Sequence, residues 1–202
     1  MRHIEAVAED EMIAAYVRAE SASHRHSGEL RDAMRRMGVG ADVVECPDIS
    51  DADQNAARRA PLTETREYGT RRGLFDGFPT DVTWTRVGLT PREMLGVRYI
   101  DYDYWVDLSA GSRLPTDAAV TIRAGRTIFG ESNQGFLDAA AALRQGETFP
   151  ELILVAASTD ARLVVLEGNL RLTAYGLVPD TLPPETTALL GVSPRMVEWD
   201  LY

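Results

Sequence analysis

The sequence contains no lysine, so all 21 of its basic residues are arginine. Codon usage in a GC-rich genome produces the same bias, but the chemical exclusions hold whatever its origin. Without lysine there is no Walker-type phosphate loop, no kinase-type strand lysine and no Schiff-base chemistry. Cysteine is nearly absent as well. Cys46 stands alone, which rules out an internal disulfide and a thiolate metal cluster and agrees with a reducing compartment. We expect it to be a buried small residue rather than a nucleophile. Histidine is confined to His3, His24 and His26, so a histidine base would have to come from the first segment. His24 and His26 flank Arg25 in a Ser-rich stretch that reads as a solvated loop. No apolar run approaches the ~20 residues of a membrane span, and the first residues lack the layout of a secretory signal. These absences predict a cytoplasmic protein without a membrane partner.

What is present is acidic. The formal net charge of -10 disfavours duplex DNA, where phosphate contacts supply most of the affinity. With 45% hydrophobic residues in 202, the chain can bury one sizeable core. The patterning predicts an α+β fold, with an N-terminal helical segment over residues 1–79 and a core over 80–202. Met12, Ile13, Tyr16 and Val17 recur at helical spacing within Ala6–Ala19. Ser27 is a suitable N-cap for a helix carrying Leu30, Met34 and Met37 on one face. A third helical stretch, Asp51–Glu67, is interrupted by Pro61. The only basic concentration lies here: Arg58, Arg59, Arg66, Arg71 and Arg72 either form a solvated helix face or receive a phosphate or an acidic partner. Phe75 and Phe78 should pin the following Gly- and Pro-punctuated loop to a core.

Beyond residue 80, strand and helix signals alternate. Val82–Leu89 reads as a strand, and Thr90-Pro91-Arg92-Glu93 has the composition of a capped helix start. Alternation over Arg98–Leu108 predicts a strand with Asp101, Asp103 and Asp107 on one face. Thr116 and Asp117 should cap a helix ending by Gly125, and Phe136–Leu143 a further one. The runs Leu152-Ile153-Leu154-Val155 and Leu163-Val164-Val165-Leu166 read as strands buried on both faces at the centre of a sheet. Val197, Trp199 and Leu201 are spaced for a final strand.

The corner Glu167-Gly168-Asn169-Leu170-Arg171 follows the second of those runs. Gly168 permits a tight turn, Asn169 is a good N-cap, and a helix starting here offers unpaired N–H groups and a positive dipole end. Arg171 in the first turn opposes that dipole. A bound anion would compensate the opposition, and so would an ion pair with Glu167.

This corner, with Phe149-Pro150-Glu151, the two apolar strands and Leu172-Thr173-Ala174, resembles the ParB/sulfiredoxin fold over about residues 80 to 180. The corresponding motif is Gly-Glu-Arg-Arg in ParB proteins, which bind CTP, Gly-Cys-His-Arg in sulfiredoxins and Gly-His-His-Arg in free serine kinases, which use ATP. Gly168, Arg171 and Ala174 match what these share. Asn169 replaces the sulfiredoxin cysteine, which excludes sulfinic acid reduction, and Leu170 replaces a basic residue. The resemblance implies a small mixed sheet with flanking helices that binds ATP or another nucleoside triphosphate through Gly168, Asn169 and Arg171. Arg113, after the small-residue loop Ser109-Ala110-Gly111-Ser112, is a further candidate for phosphate. Asp101, Asp103 and Asp107 are candidate Mg2+ ligands, unless they form a solvent-facing sheet edge, and Glu93 or Glu167 is a candidate base. The functions that follow are phosphotransfer to a small hydroxylated metabolite, a non-catalytic nucleotide switch or adaptor, and, least compatible with the acidic surface, a ParB-like nuclease.

Overall fold

A computed structural model of the chain describes residues 1–22 and 27–202; the loop reading of His24 and His26 lies outside these residues. The fold is α+β. Its strands β1 (Arg2–Val7), β2 (Thr83–Leu89), β3 (Leu152–Ala156), β4 (Val164–Glu167) and β5 (Thr186–Val192) form one mixed sheet of order β1-β2-β5-β3-β4. β3 runs parallel to β5, and the other neighbours are antiparallel.

Helices cover both faces. α1 (Glu9–Ser21), α2 (Ser27–Met37), α3 (Asp42–Glu45) and α4 (Ala52–Arg66) precede β2. Met12, Ile13, Val17, Leu30 and Leu62 from this group pack against Trp84, Ile153, Val155, Leu166 and Leu189 of the sheet. On the opposite face lie α5 (Pro91–Leu95), α6 (Asp103–Leu108), α7 (Pro115–Arg123), α8 (Gln134–Arg144) and α9 (Asn169–Leu177). They bring Met94, Leu108, Ile122, Phe136 and Leu172 onto Val87, Leu89, Leu152, Leu154 and Leu190. Period-two alternation along β2, β3, β4 and β5 divides their side chains between the two cores. Burying one leucine-sized side chain is worth roughly 1.5 to 3 kcal/mol, so each helical layer stabilises the sheet substantially.

Several expectations hold. The α1 residues Met12, Ile13, Tyr16 and Val17 are all buried, and Phe75 and Phe78 meet edge to face at 5.2 Å beneath their loop. The capping box is formed: Thr90 Oγ1 accepts from the Glu93 N–H while Glu93 accepts from the Thr90 N–H at 2.9 Å.

Others need correction. The N-terminal segment is not purely helical, because its first residues form β1 and pair with β2. α4 runs through Pro61, anchored instead by Asp51, whose carboxylate accepts from the N–H groups of Asp53 and Gln54. β4 is an edge strand and β5 holds the centre. β4 reads as buried because helices cover both of its faces, and its outer edge is bridged by Arg98, whose N–H donates to Leu163 O at 2.9 Å. The expected strand over Arg98–Leu108 is mostly α6. Tyr104 and Leu108, four residues apart, are its buried positions, so the helical period overrides the alternation. α7 starts from Leu114 with Pro115 at its first position, leaving Thr116 and Asp117 inside the helix. The last strand is Thr186–Val192, while Pro194–Glu198 forms a 3-10 turn that buries Met196. Cys46 is exposed at the end of α3.

Candidate functional site

The β4–α9 corner is built as the sequence leads one to expect, with one shift of register. Gly168, rather than Asn169, is the N-cap, at φ 110° and ψ 23°. Only glycine takes this conformation readily, and a Cβ here would also drive into the Leu152 side chain. Asn169 becomes the first helical residue, and the first helical bond runs from Leu172 N to Gly168 O at 2.9 Å. The N–H groups of Asn169, Leu170 and Arg171 therefore precede the helical ladder. Gly168 offers them no side-chain acceptor.

Arg171 turns inward. The residue is 8% exposed, and Nη1 donates to the carbonyls of Pro150 and Glu151 at 2.9 and 2.8 Å. Nη2 donates to the Glu167 carboxylate, which forms an ion pair across the Gly168 turn. Burial lowers the Arg171 guanidinium to about 10, against the opposing pull of the Tyr175 hydroxyl and the Glu20 carboxylate. It stays charged at neutral pH. The arginine expected to face phosphate thus fastens the α9 start to the segment entering β3, and Glu167, expected as a base, is its partner. Of the two compensations foreseen for an arginine in a first helical turn, the ion pair with Glu167 is formed. Leu170, the residue beside it, is 41% exposed.

Arg113 is also an internal strut. It sits at φ 62° and is 8% exposed. Nε donates to Tyr99 O at 2.8 Å, Nη1 to Tyr202 O at 3.0 Å and Nη2 to Leu201 O at 3.2 Å, tying the C-terminal residues beneath the Ser109–Ser112 loop. Burial pulls its guanidinium below the usual arginine range.

The aspartates do not share a strand face. Asp103 and Asp107 are on α6, while Asp101 precedes the helix and accepts from Arg113 Nη1 at 3.2 Å. All three are exposed. Among the described residues no group of three or more His, Cys, Asp or Glu side chains is arranged to hold a metal ion. Glu93 caps α5 and pairs with the α-ammonium of Met1; that contact and the Thr90 N–H hold its carboxyl down at about 2. A group so acidic is a poor general base at neutral pH. The structure therefore keeps Gly168, Asn169, Glu167 and Arg171 together at one corner and leaves Arg113, Glu93 and the aspartates in other surroundings.

Among the described residues, cavities also lie elsewhere. One, of about 410 Å3, opens over β2 and β5 and is lined by His3, Thr85, Val87, Glu93, Asp160 and Leu190. Another, of about 270 Å3, lies beside the loop that follows α4. Sequence reading marked Arg71 and the loop phenylalanines Phe75 and Phe78, but not Tyr68, which lines the same cavity.

No family model, curated protein or solved structure matches this chain. Among the described residues no helix is long and apolar enough to cross a membrane.

Proposed function

We propose that the chain is a non-catalytic nucleotide-binding module of ParB/sulfiredoxin-like architecture, acting as a switch or adaptor rather than as a phosphotransferase. One observation carries this choice: Arg171, Glu167, Arg113 and Glu93, the charged groups that phosphoryl transfer would draw on, are each engaged by the fold itself. Transition-state charge needs donors aimed at the phosphoryl group. These side chains are aimed at carbonyls and carboxylates of their own chain.

Support for the nucleotide comes from backbone. The uncapped N–H groups at the start of α9, with a side-chain-free N-cap before them, suit a phosphate. The order β3, turn, β4, Gly168 corner, α9 is also the order on which the family resemblance rests.

The test replaces Leu170. This exposed first-turn position tolerates a carboxylate, which favours the helix dipole and repels a phosphate. Calorimetry with the magnesium complexes of ATP, CTP, GTP and UTP should detect one that binds wild type and is lost in Leu170→Glu. Incubation of that nucleotide with serine or threonine should release no diphosphate. Binding unaffected by Leu170→Glu, or no binding of any triphosphate, refutes the site. Acceptor-dependent diphosphate release restores the phosphotransferase.

A further inference from the structure

β1 is attached to the molecule differently from the other strands. Its residues Arg2, His3, Glu5 and Ala6 are exposed, and Ile4 and Val7 are only half-buried. It lies at the edge of the sheet, and its ladder with β2 is interrupted by a register shift between His3 and Glu5. Beyond that short ladder, charge holds it. Arg2 Nε donates to the Glu185 carboxylate at 2.9 Å. Glu185 reaches Arg2 over Gly88 of β2, where a Cβ would clash with its carboxylate. Glu5 pairs with Arg86, and Met1, just ahead of the strand, pairs with Glu93.

None of these partners depends on β1. Without Glu5, Arg86 keeps Glu11 at 2.6 Å and Glu151 at 2.9 Å. Without Met1, Glu93 keeps the Thr90 N–H at 2.9 Å and hydroxyl at 2.8 Å. Glu185 is exposed and returns to water. Ala8, the one residue between β1 and α1, is extended at φ -75° and ψ 154°, with no side-chain cap to fix it. α1 itself is anchored by Met12, Ile13 and Val17, which are fully buried. A swing of β1 about Ala8 therefore leaves α1 in place and no buried charge unpaired. The N–H and C=O groups freed along the β2 edge pass to water rather than to the core.

We propose that β1 is an electrostatically latched strap, which opens locally when its ion pairs are screened and so frees the β2 edge and one side of the 410 Å3 cavity. His3 and Met1 line that cavity together with Thr85 and Val87 of β2 and Leu190 and Val192 of β5, so departure of β1 removes part of its wall. Pairs between exposed charges are the interactions that salt weakens most, whereas packed apolar contacts are not screened. The strap and the β4–α9 corner lie at opposite edges of the sheet, and its test is independent of the nucleotide reading.

Amide hydrogen exchange of the full chain, at low salt and in about 1 M sodium chloride, tests this. Amides of β1, and those of β2 that point to β1, should exchange faster than the β2 amides that point to β5 and than those of β3. Salt should accelerate the first group alone, by about three- to tenfold, the scale of two exposed ion pairs. The double variant Glu5→Gln, Glu185→Gln removes both pairs at exposed positions, so the fold is retained. Its β1 amides should exchange at the faster rate already at low salt and respond little to more, while β3 stays as protected as in wild type. The proposal is overturned if β1 exchanges only as fast as β3, or if salt accelerates all strands alike or none. It is equally overturned if the double variant protects β1 as well as wild type does.

Discussion

Arg171 and Glu167, four residues apart, hold each other across the Gly168 turn, and the same guanidinium spans to the carbonyls of Pro150 and Glu151. One side chain thereby joins the end of β4, the start of α9 and the entry to β3. Removing it leaves a half-buried carboxylate and two carbonyls without their donor, and breaking one side of a buried pair costs about 3 to 5 kcal/mol. Arg171→Met should therefore lose about 3 kcal/mol in chemical denaturation. Glu167→Gln should lose less, because the carbonyl bonds survive. The double variant should be less destabilised than the sum of the singles, with a coupling of about 1 kcal/mol or more. Additivity would show that the pair contributes nothing as a pair.

The same theme governs Arg113, whose three nitrogens reach three different backbone carbonyls. A lysine ammonium is a single point on a flexible stem and cannot reproduce that fork. Arg113→Lys should cost about 1.5 to 3 kcal/mol, since charge-assisted bonds to buried carbonyls are lost. Hydrogen exchange localises the effect: amides of Trp199 and Tyr202 should exchange faster while those of β3 remain protected. Unchanged exchange in the tail would mean that Arg113 does not anchor it.

These two arginines show where sequence reading stopped. The run from Leu152 to Arg171 was legible as strand, turn, strand, glycine corner and helix, because apolar runs and a glycine are local signals. The two directions available to Arg171 were legible too, but the choice between them depends on Pro150 and Glu151, about twenty residues away. β1 was missed because an edge strand with an exposed, polar pattern carries little apolar signal. α6 was misread because Tyr102, Tyr104 and Val106 favour strands by composition, whereas the buried pair Tyr104 and Leu108 is fixed by α7 and the core, which no local window contains. The arginine concentration was legible as composition only, and whether each guanidinium is buried, paired or free was decided by the packing of α4 on α1.

Acid should weaken the start of α5 in a defined window. Glu93 titrates at about 2 in the folded protein, first because of the Met1 α-ammonium and then because of the Thr90 N–H and hydroxyl, against an ordinary value of 4.5. Its folded value is depressed, so between these limits the unfolded chain binds more protons. The stability it contributes is then fully present above about 4.5 and lost as the pH falls toward 2. Denaturation midpoints for wild type and Glu93→Gln should therefore differ most above pH 5 and converge near pH 2. A difference independent of pH would mean that the Glu93 charge contributes nothing.

Gly176 sets two effects against each other. In the last turn of α9, alanine is favoured over glycine by at most about 1 kcal/mol on helix propensity alone. A Cβ at this position, however, meets the carbonyl and Cβ of Pro115 at the start of α7, and backbone on a packed helix has little room to retreat. Overpacking of this kind costs typically 1 to 3 kcal/mol, so the clash should outweigh the propensity gain. Gly176→Ala should thus be destabilised by up to about 2 kcal/mol in urea. A stabilised Gly176→Ala would show that α7 and α9 are not in the close contact that brings the α9 helix, and the corner at its start, against the sheet.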